Sequence, residues 1–117
     1  MFALHQVVRL RLWSGGRESA FELSDALRDT QPTRAEDAYG KMFGLLLLGA
    51  HDETIEAWRT LRDADIWEEG SAVESSMCAH FAGVAALRKG EIDGARKFFR
   101  RSITILAIAT PKRRSRR

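Results

Sequence analysis

"FGLLLLGAHDETIEAW", residues 43–58, sets four leucines between two glycines and then turns polar. The uninterrupted apolar run extends only from Met42 to Ala50, whereas a helix crossing a bilayer needs about 20 apolar residues. The run is too short to span a membrane. The break at Gly49 reads instead as the end of one helix and the approach to the next, because glycine takes the left-handed conformation that closes a helix and other residues resist it. Asp52 is expected to cap the helix that follows, its carboxylate accepting unpaired amide hydrogens of the first turn.

The same pattern of apolar stretch and glycine stop recurs along the chain, and helical spacing fits it better than strand alternation. "FALHQVVRLRLW" (2–13) reads as a helix stopped by Ser14, Gly15 and Gly16, and "RESAFELSDALRD" (17–29) as a second, ended by Thr30 to Thr33. A third begins near Arg34 and runs through Leu48. "ETIEAWRTLRD" (53–63) is the fourth. The fifth, opened by Ser71 or Ser75, reaches Lys89 before Gly90. The sixth, "EIDGARKFFRRSITILAIA" (91–109), continues toward Pro111. The expectation is an all-α chain of about six helices.

The 117 residues, 44% of them hydrophobic, suffice for one compact domain with a real core. A single cysteine, Cys78, permits no internal disulfide and no cysteine cluster for zinc, which suits a reducing compartment. The amino terminus has no basic leader, and His5, Arg9 and Arg11 interrupt the segment that a signal peptide would keep apolar. A cytoplasmic protein is expected. The net charge is +3, but five cations fall in the final six residues and leave the body at −2. The basicity therefore belongs to a tail, residues 111–117, expected to be disordered in isolation.

Gly15, Ala20 and Leu27 recur 34 residues later as Gly49, Thr54 and Leu61, and 41 residues after that as Gly90, Ala95 and Ser102. The seven extra residues fit in "WEEGSAV" (67–73). The small residue five places after each glycine is expected where the second helix of a pair crosses the first. Gly83, Gly90, Ala95 and Phe99 in the last copy, Trp58 in the second and Pro32 at the end of the first complete a pattern that resembles the tetratricopeptide repeat. The resemblance covers residues 1–110 as repeats of about 1–34, 35–68 and 76–109. It departs from the family where Ala79, Ala82 and Ala86 replace large residues, where Val8 and Met42 replace a glycine, and where Ser24 replaces an aromatic. It implies antiparallel hairpins stacked as a short right-handed superhelix.

In that family the first helices of successive repeats line a concave groove. The resemblance therefore implies a partner surface formed by Phe2, His5, Arg9, Leu12 and Trp13 in the first repeat. Tyr39, Phe43, Leu46 and Leu47 follow in the second, and His80, Phe81, Val84, Leu87 and Arg88 in the third. On this register Leu45 and Leu48 pack inward while Leu46 and Leu47 face the groove. The alternative for all four leucines is simply core. Family members that grip the carboxyl terminus of heat-shock chaperones use lysine, asparagine and arginine on these helices. His5, Arg9, Gly40, Met77 and Phe81 stand there instead, so the implied ligand is an apolar helix or extended segment. The size and groove character look like those of co-chaperones holding needle or translocator subunits in bacterial type III secretion.

Catalytic constellations are thin. His5, His51 and His80 lie on different elements, and no two histidines have the spacing that presents a metal site on one helical face. No metal and no cofactor is expected. Cys78 and His80 are two apart and point to different sides of a helix, so a packed thiol is expected rather than a nucleophile. The pairs Glu36 and Asp37, and Asp52 and Glu53, suit helix starts. "SGGRES" lacks a phosphate-loop lysine. The expected class is thus a non-catalytic interaction module, an adaptor or small chaperone.

Two surfaces remain. "ITILAIA" (103–109) is apolar around most of its circumference, and repeat arrays normally end in a cap with a polar outer face. Ile103, Ile105, Leu106 and Ile108 are therefore expected to be covered by a second copy, a partner or a further part of a longer protein. Lys112, Arg113, Arg114, Arg116 and Arg117, with Arg96, Lys97, Arg100 and Arg101 before them, offer an alternative function in nucleic-acid association through phosphate contacts. Deleting residues 112–117 discriminates: peptide binding survives under the first reading, and salt-dependent nucleic-acid binding is lost under the second.

Overall fold

The structure, a computed structural model, describes residues 24–109. Five helices occur there and no strand: α1 (Ser24–Asp29), α2 (Ala35–Leu47), α3 (His51–Leu61), α4 (Ala72–Arg88) and α5 (Ile92–Ala109). The chain is all-α over these residues. None of the helices is long and apolar enough to cross a membrane. The expected first helix, most of the second, Gly15 and the basic tail lie outside the described residues.

Two glycines set the path. Gly49 and Gly90 have φ of 80° and 83°, the left-handed region. At each, the glycine amide donates to the carbonyl three residues back (Leu46, Leu87; both 3.0 Å). The next amide reaches five residues back, from Ala50 to Leu45 at 3.0 Å and from Glu91 to Ala86 at 2.9 Å. This double closure satisfies carbonyls that a helix end leaves open and reverses the chain in two residues. The following helix then starts at once, with Thr54 and Ala95 donating to Ala50 and Glu91 at 2.9 Å. Thr54 and Ala95 are 0% and 2% exposed, as expected for small residues at a helix crossing.

Because the glycine turn fixes where α3 begins, Asp52 does not cap it. Ala50 occupies the cap position without a side-chain acceptor, and Asp52 sits inside the first turn with its carboxylate bonded to Lys89. Ser71 precedes α4, yet its hydroxyl donates to the Glu68 carbonyl (2.7 Å) instead of receiving a helix amide. α3 ends at Leu61, two residues earlier than the sequence suggests; its last carbonyl accepts the Trp67 indole N–H at 2.8 Å. Trp67 thereby folds back toward Trp58, ring centres 6.2 Å apart, and the connecting segment contributes Ile66 to the core.

The core lies between α2, α3 and α4. Met42, Trp58, Leu61 and Cys78 fill it, and Ala79, Ala82, Ala85 and Ala86, all 0% exposed, let α4 approach closely. Of the four leucines, Leu45, Leu46 and Leu48 are buried and only Leu47 is half-buried. Leu46, expected in a groove, is core because it joins the apolar cluster that α4 shares with α2. At the two ends, single glycines admit large neighbours. A Cβ on Gly44 would lie 2.6 Å from Leu27 of α1, and one on Gly83 2.5 Å from the Phe99 ring of α5. α5 is further held by the Ser76 hydroxyl, 3.0 Å from the Ser102 carbonyl and 2.8 Å from its hydroxyl.

Candidate partner-binding surface

The inner row expected from the sequence divides into two different environments. On α2, Tyr39 and Phe43 are half-buried, and both meet Phe81 of α4. Phe43 and Phe81 stack at 5.1 Å with ring planes 8° apart, and Tyr39 meets Phe81 edge-on at 5.4 Å. Such pairs add about 0.5–1.5 kcal/mol beyond their area burial. Phe81 is 5% and Leu46 7% exposed. These four residues form a seam joining α2 to α4 rather than the wall of an open trough, which corrects the groove assignment for Leu46 and Phe81. Phe2, His5, Arg9, Leu12 and Trp13 lie outside the described residues, as do Lys112, Arg113, Arg114, Arg116 and Arg117.

Counting from Gly49 and Gly90, Tyr39, Phe43 and Leu46 of α2 correspond to His80, Val84 and Leu87 of α4. Here the environment is open. His80 and Arg88 are exposed, Val84 is half-buried and Leu87 is 50% exposed. Leu87, Ile92, Ala95, Phe99 and Ile103 line a shallow apolar depression of about 260 Å³ between α4 and α5, with Arg96 and Arg100 at its edge. The His80 ring lies 5.3 Å from that of Phe99 at the same junction. Lys97 and Arg101, also exposed, do not line the depression.

Three of the four residues expected to form a covered surface on α5 are exposed among the described residues. Ile103 and Ile108 are 68% and 71% exposed and Leu106 40%. Ile105 is the correction: it is half-buried and packs against the core. Phe98, Ser102 and Ile105 recur at three- and four-residue intervals, so they share the face turned to α4. An all-round apolar composition hides that division. Val73, at the start of α4 and 62% exposed, is a further apolar residue at the surface that the groove register passes over.

Elsewhere polar groups are mostly engaged in structural roles. A cleft of about 240 Å³ between α1, α2 and α3 contains Arg28, Lys41 and Glu53. Arg28 pairs with Glu53, and the Lys41 ammonium donates to the carbonyls of Arg28 and Thr30, both at 2.9 Å. Burial holds the Lys41 ammonium below its ordinary pKa, with Asp29 and Glu53 opposing that shift. Burial also pushes the Cys78 thiol up to about 12, so it is an unionised core group at neutral pH. His51 Nδ1 is buried without a hydrogen-bond partner among the described residues. No group of three or more histidine, cysteine, aspartate or glutamate side chains there is arranged to hold a metal ion.

In the sequence, Phe99 stands out by its spacing, and Arg96 and Arg100 only by their charge. Ile92 carries no such mark. The signal available was positional, since all four fall within the first three turns after Gly90 and three of them lie three or four residues apart. Comparison of the chain with protein-family models, with curated proteins and with solved structures gives no match.

Proposed function

We propose that this protein is a non-catalytic protein–protein interaction module, a small adaptor or chaperone built from tetratricopeptide-type hairpins, which holds an apolar helix or extended segment of another polypeptide. The observation that supports this reading is the apolar surface that the α4–α5 hairpin leaves exposed among the described residues, where Leu87 and Ile92 are each 50% and Ile103 68% exposed around one depression. Keeping apolar area in water costs about 25 cal/mol per Å², and contiguous patches of this kind mark interaction sites on soluble domains. The surroundings agree with binding rather than turnover: the one thiol is buried and unionised, and the described carboxylates lie at helix ends, in loops or in ion pairs. A co-chaperone of the type III secretion kind is one instance of this reading, and it implies a cytoplasmic location.

Affinity capture with the wild-type chain and a Leu47→Glu, Val84→Glu variant tests it, with circular dichroism confirming that the variant is folded. The expected result is loss of the partners captured by the wild type. Identical captured sets would remove the inner-row reading.

A further inference from the structure

The fold contains two copies of one surface, of which the first is filled. Against the α2–α3 hairpin α4 packs so closely that Leu46 and Trp58 are 7% and 2% exposed. Forty-one residues further on, the α4–α5 hairpin presents Leu87, Ala95 and Phe99 in the same register. There Leu87 is 50% exposed, with Ile92 and Ile103 beside it at 50% and 68%. Among the described residues no helix takes the seat on the second hairpin that α4 takes on the first.

One substitution within the repeat says what kind of helix would fit. Ile55, 4% exposed in the core, is replaced in the second copy by Arg96, while Arg59 is matched by Arg100 one turn later. Both guanidinium groups edge the apolar depression. Arg96 meets Asp93 at 3.7 Å in open solvent, and Arg100 has no carboxylate partner among the described residues. We propose that this seat receives an amphipathic helix of another protein, its apolar face on Leu87, Phe99 and Ile103 and a row of carboxylates along one edge against Arg96 and Arg100. The two arginines are four residues apart, about 6 Å along the axis, which matches acids three or four residues apart on the incoming helix.

Charge separates this occupant from the others. A second copy docked face to face about a two-fold axis would bring its own Arg96 and Arg100 toward the first pair. The chain's terminal stretches would bring Arg9 and Arg11, or Lys112 to Arg117. A nucleic acid would satisfy the arginines and leave the apolar floor unmatched. The inference rests on the interaction reading above and adds to it the seat and the acidic character of the ligand.

Calorimetric titration of the full chain with two synthetic helical peptides tests it. One is built of leucine, alanine and glutamate with the glutamates four apart on one edge; its twin carries lysine in their place. The glutamate peptide should bind and the lysine twin should not. Arg96→Glu, Arg100→Glu should weaken the glutamate peptide at least about tenfold and admit the lysine twin. Both arginines are exposed, so the variant keeps its fold, checked by thermal melting. Equal binding of both peptides, or indifference to the arginine pair, overturns the proposal. If the glutamate peptide binds and is lost only in the Leu47→Glu, Val84→Glu variant, the interaction reading stands and this seat is wrong. If neither peptide binds, this seat is wrong, and the capture experiment above decides the interaction reading separately. A dimer in sedimentation that Ile103→Asp converts to monomer would assign the seat to a second copy instead.

Discussion

Gly83 and Gly90 are needed for different reasons, and substituting each by alanine separates them. A Cβ on Gly83 would stand 2.5 Å from Phe99, whereas nothing lies within 4 Å of one on Gly90, whose constraint is its φ of 83°. Gly83→Ala is expected to cost about 1–3 kcal/mol through overpacking, and Phe99→Leu in the same chain should recover part of it, a coupling that denaturant titration of the double-mutant cycle measures. Gly90→Ala should cost about 1 kcal/mol or more with no such rescue. Cys78 offers a third test at this scale: with its thiol at about 12 and no exposed surface, it should label with a thiol reagent at pH 8 only as fast as the chain opens. The left-handed glycines and the small residues after them were legible in the sequence because one residue's stereochemistry decides them. Asp52 was not legible as Lys89's partner, since that contact joins residues on separate hairpins.

Helix ends are where the elements are tied together. The Lys41 ammonium of α2 takes up carbonyls of Arg28 and Thr30 at the end of α1. Lys41→Met should therefore raise amide hydrogen exchange in α1 selectively, leaving α4 protected. Trp67→Phe keeps an aromatic beside Trp58 but removes the donor to Leu61; a loss of about 1 kcal/mol is expected in denaturant melts. Sequence periodicity located α2, α4 and α5 closely, because glycine stops and apolar spacing act within an element. It could not assign Leu46 or Ile105 to a face. Each belongs to a stretch apolar on several sides, so only the neighbouring helix decides which side is inside.

At the scale of the whole molecule, Asp52 of α3 and Lys89 at the end of α4 clip two successive hairpins together. The hydrogen bond from Lys89 holds the Asp52 carboxyl below its ordinary 3.8, and the same contact raises Lys89 above its ordinary 10.5. The Asp52 share is present above the unfolded-state value and lost as pH falls through the lower folded one; the Lys89 share is present below 10.5 and lost as pH rises through the higher folded one. The difference in melting temperature between wild type and Lys89→Met should accordingly be flat across neutral pH and vanish at both extremes, and high salt should shrink it. That α5 carries exposed apolar residues was readable from "ITILAIA"; that Ile103 joins Ile92, Phe99 and Leu87 in one depression was not, because it requires knowing which helix lies beside which. Ala95 is the only side chain of α5 buried outright. The α4-facing side of that helix is held instead by the half-buried Phe98, Phe99, Ser102 and Ile105, so an occupant of the open flank would tighten a helix that is already docked. The occupant's arrival would register as slowed deuterium uptake along residues 92–109, before its identity is known.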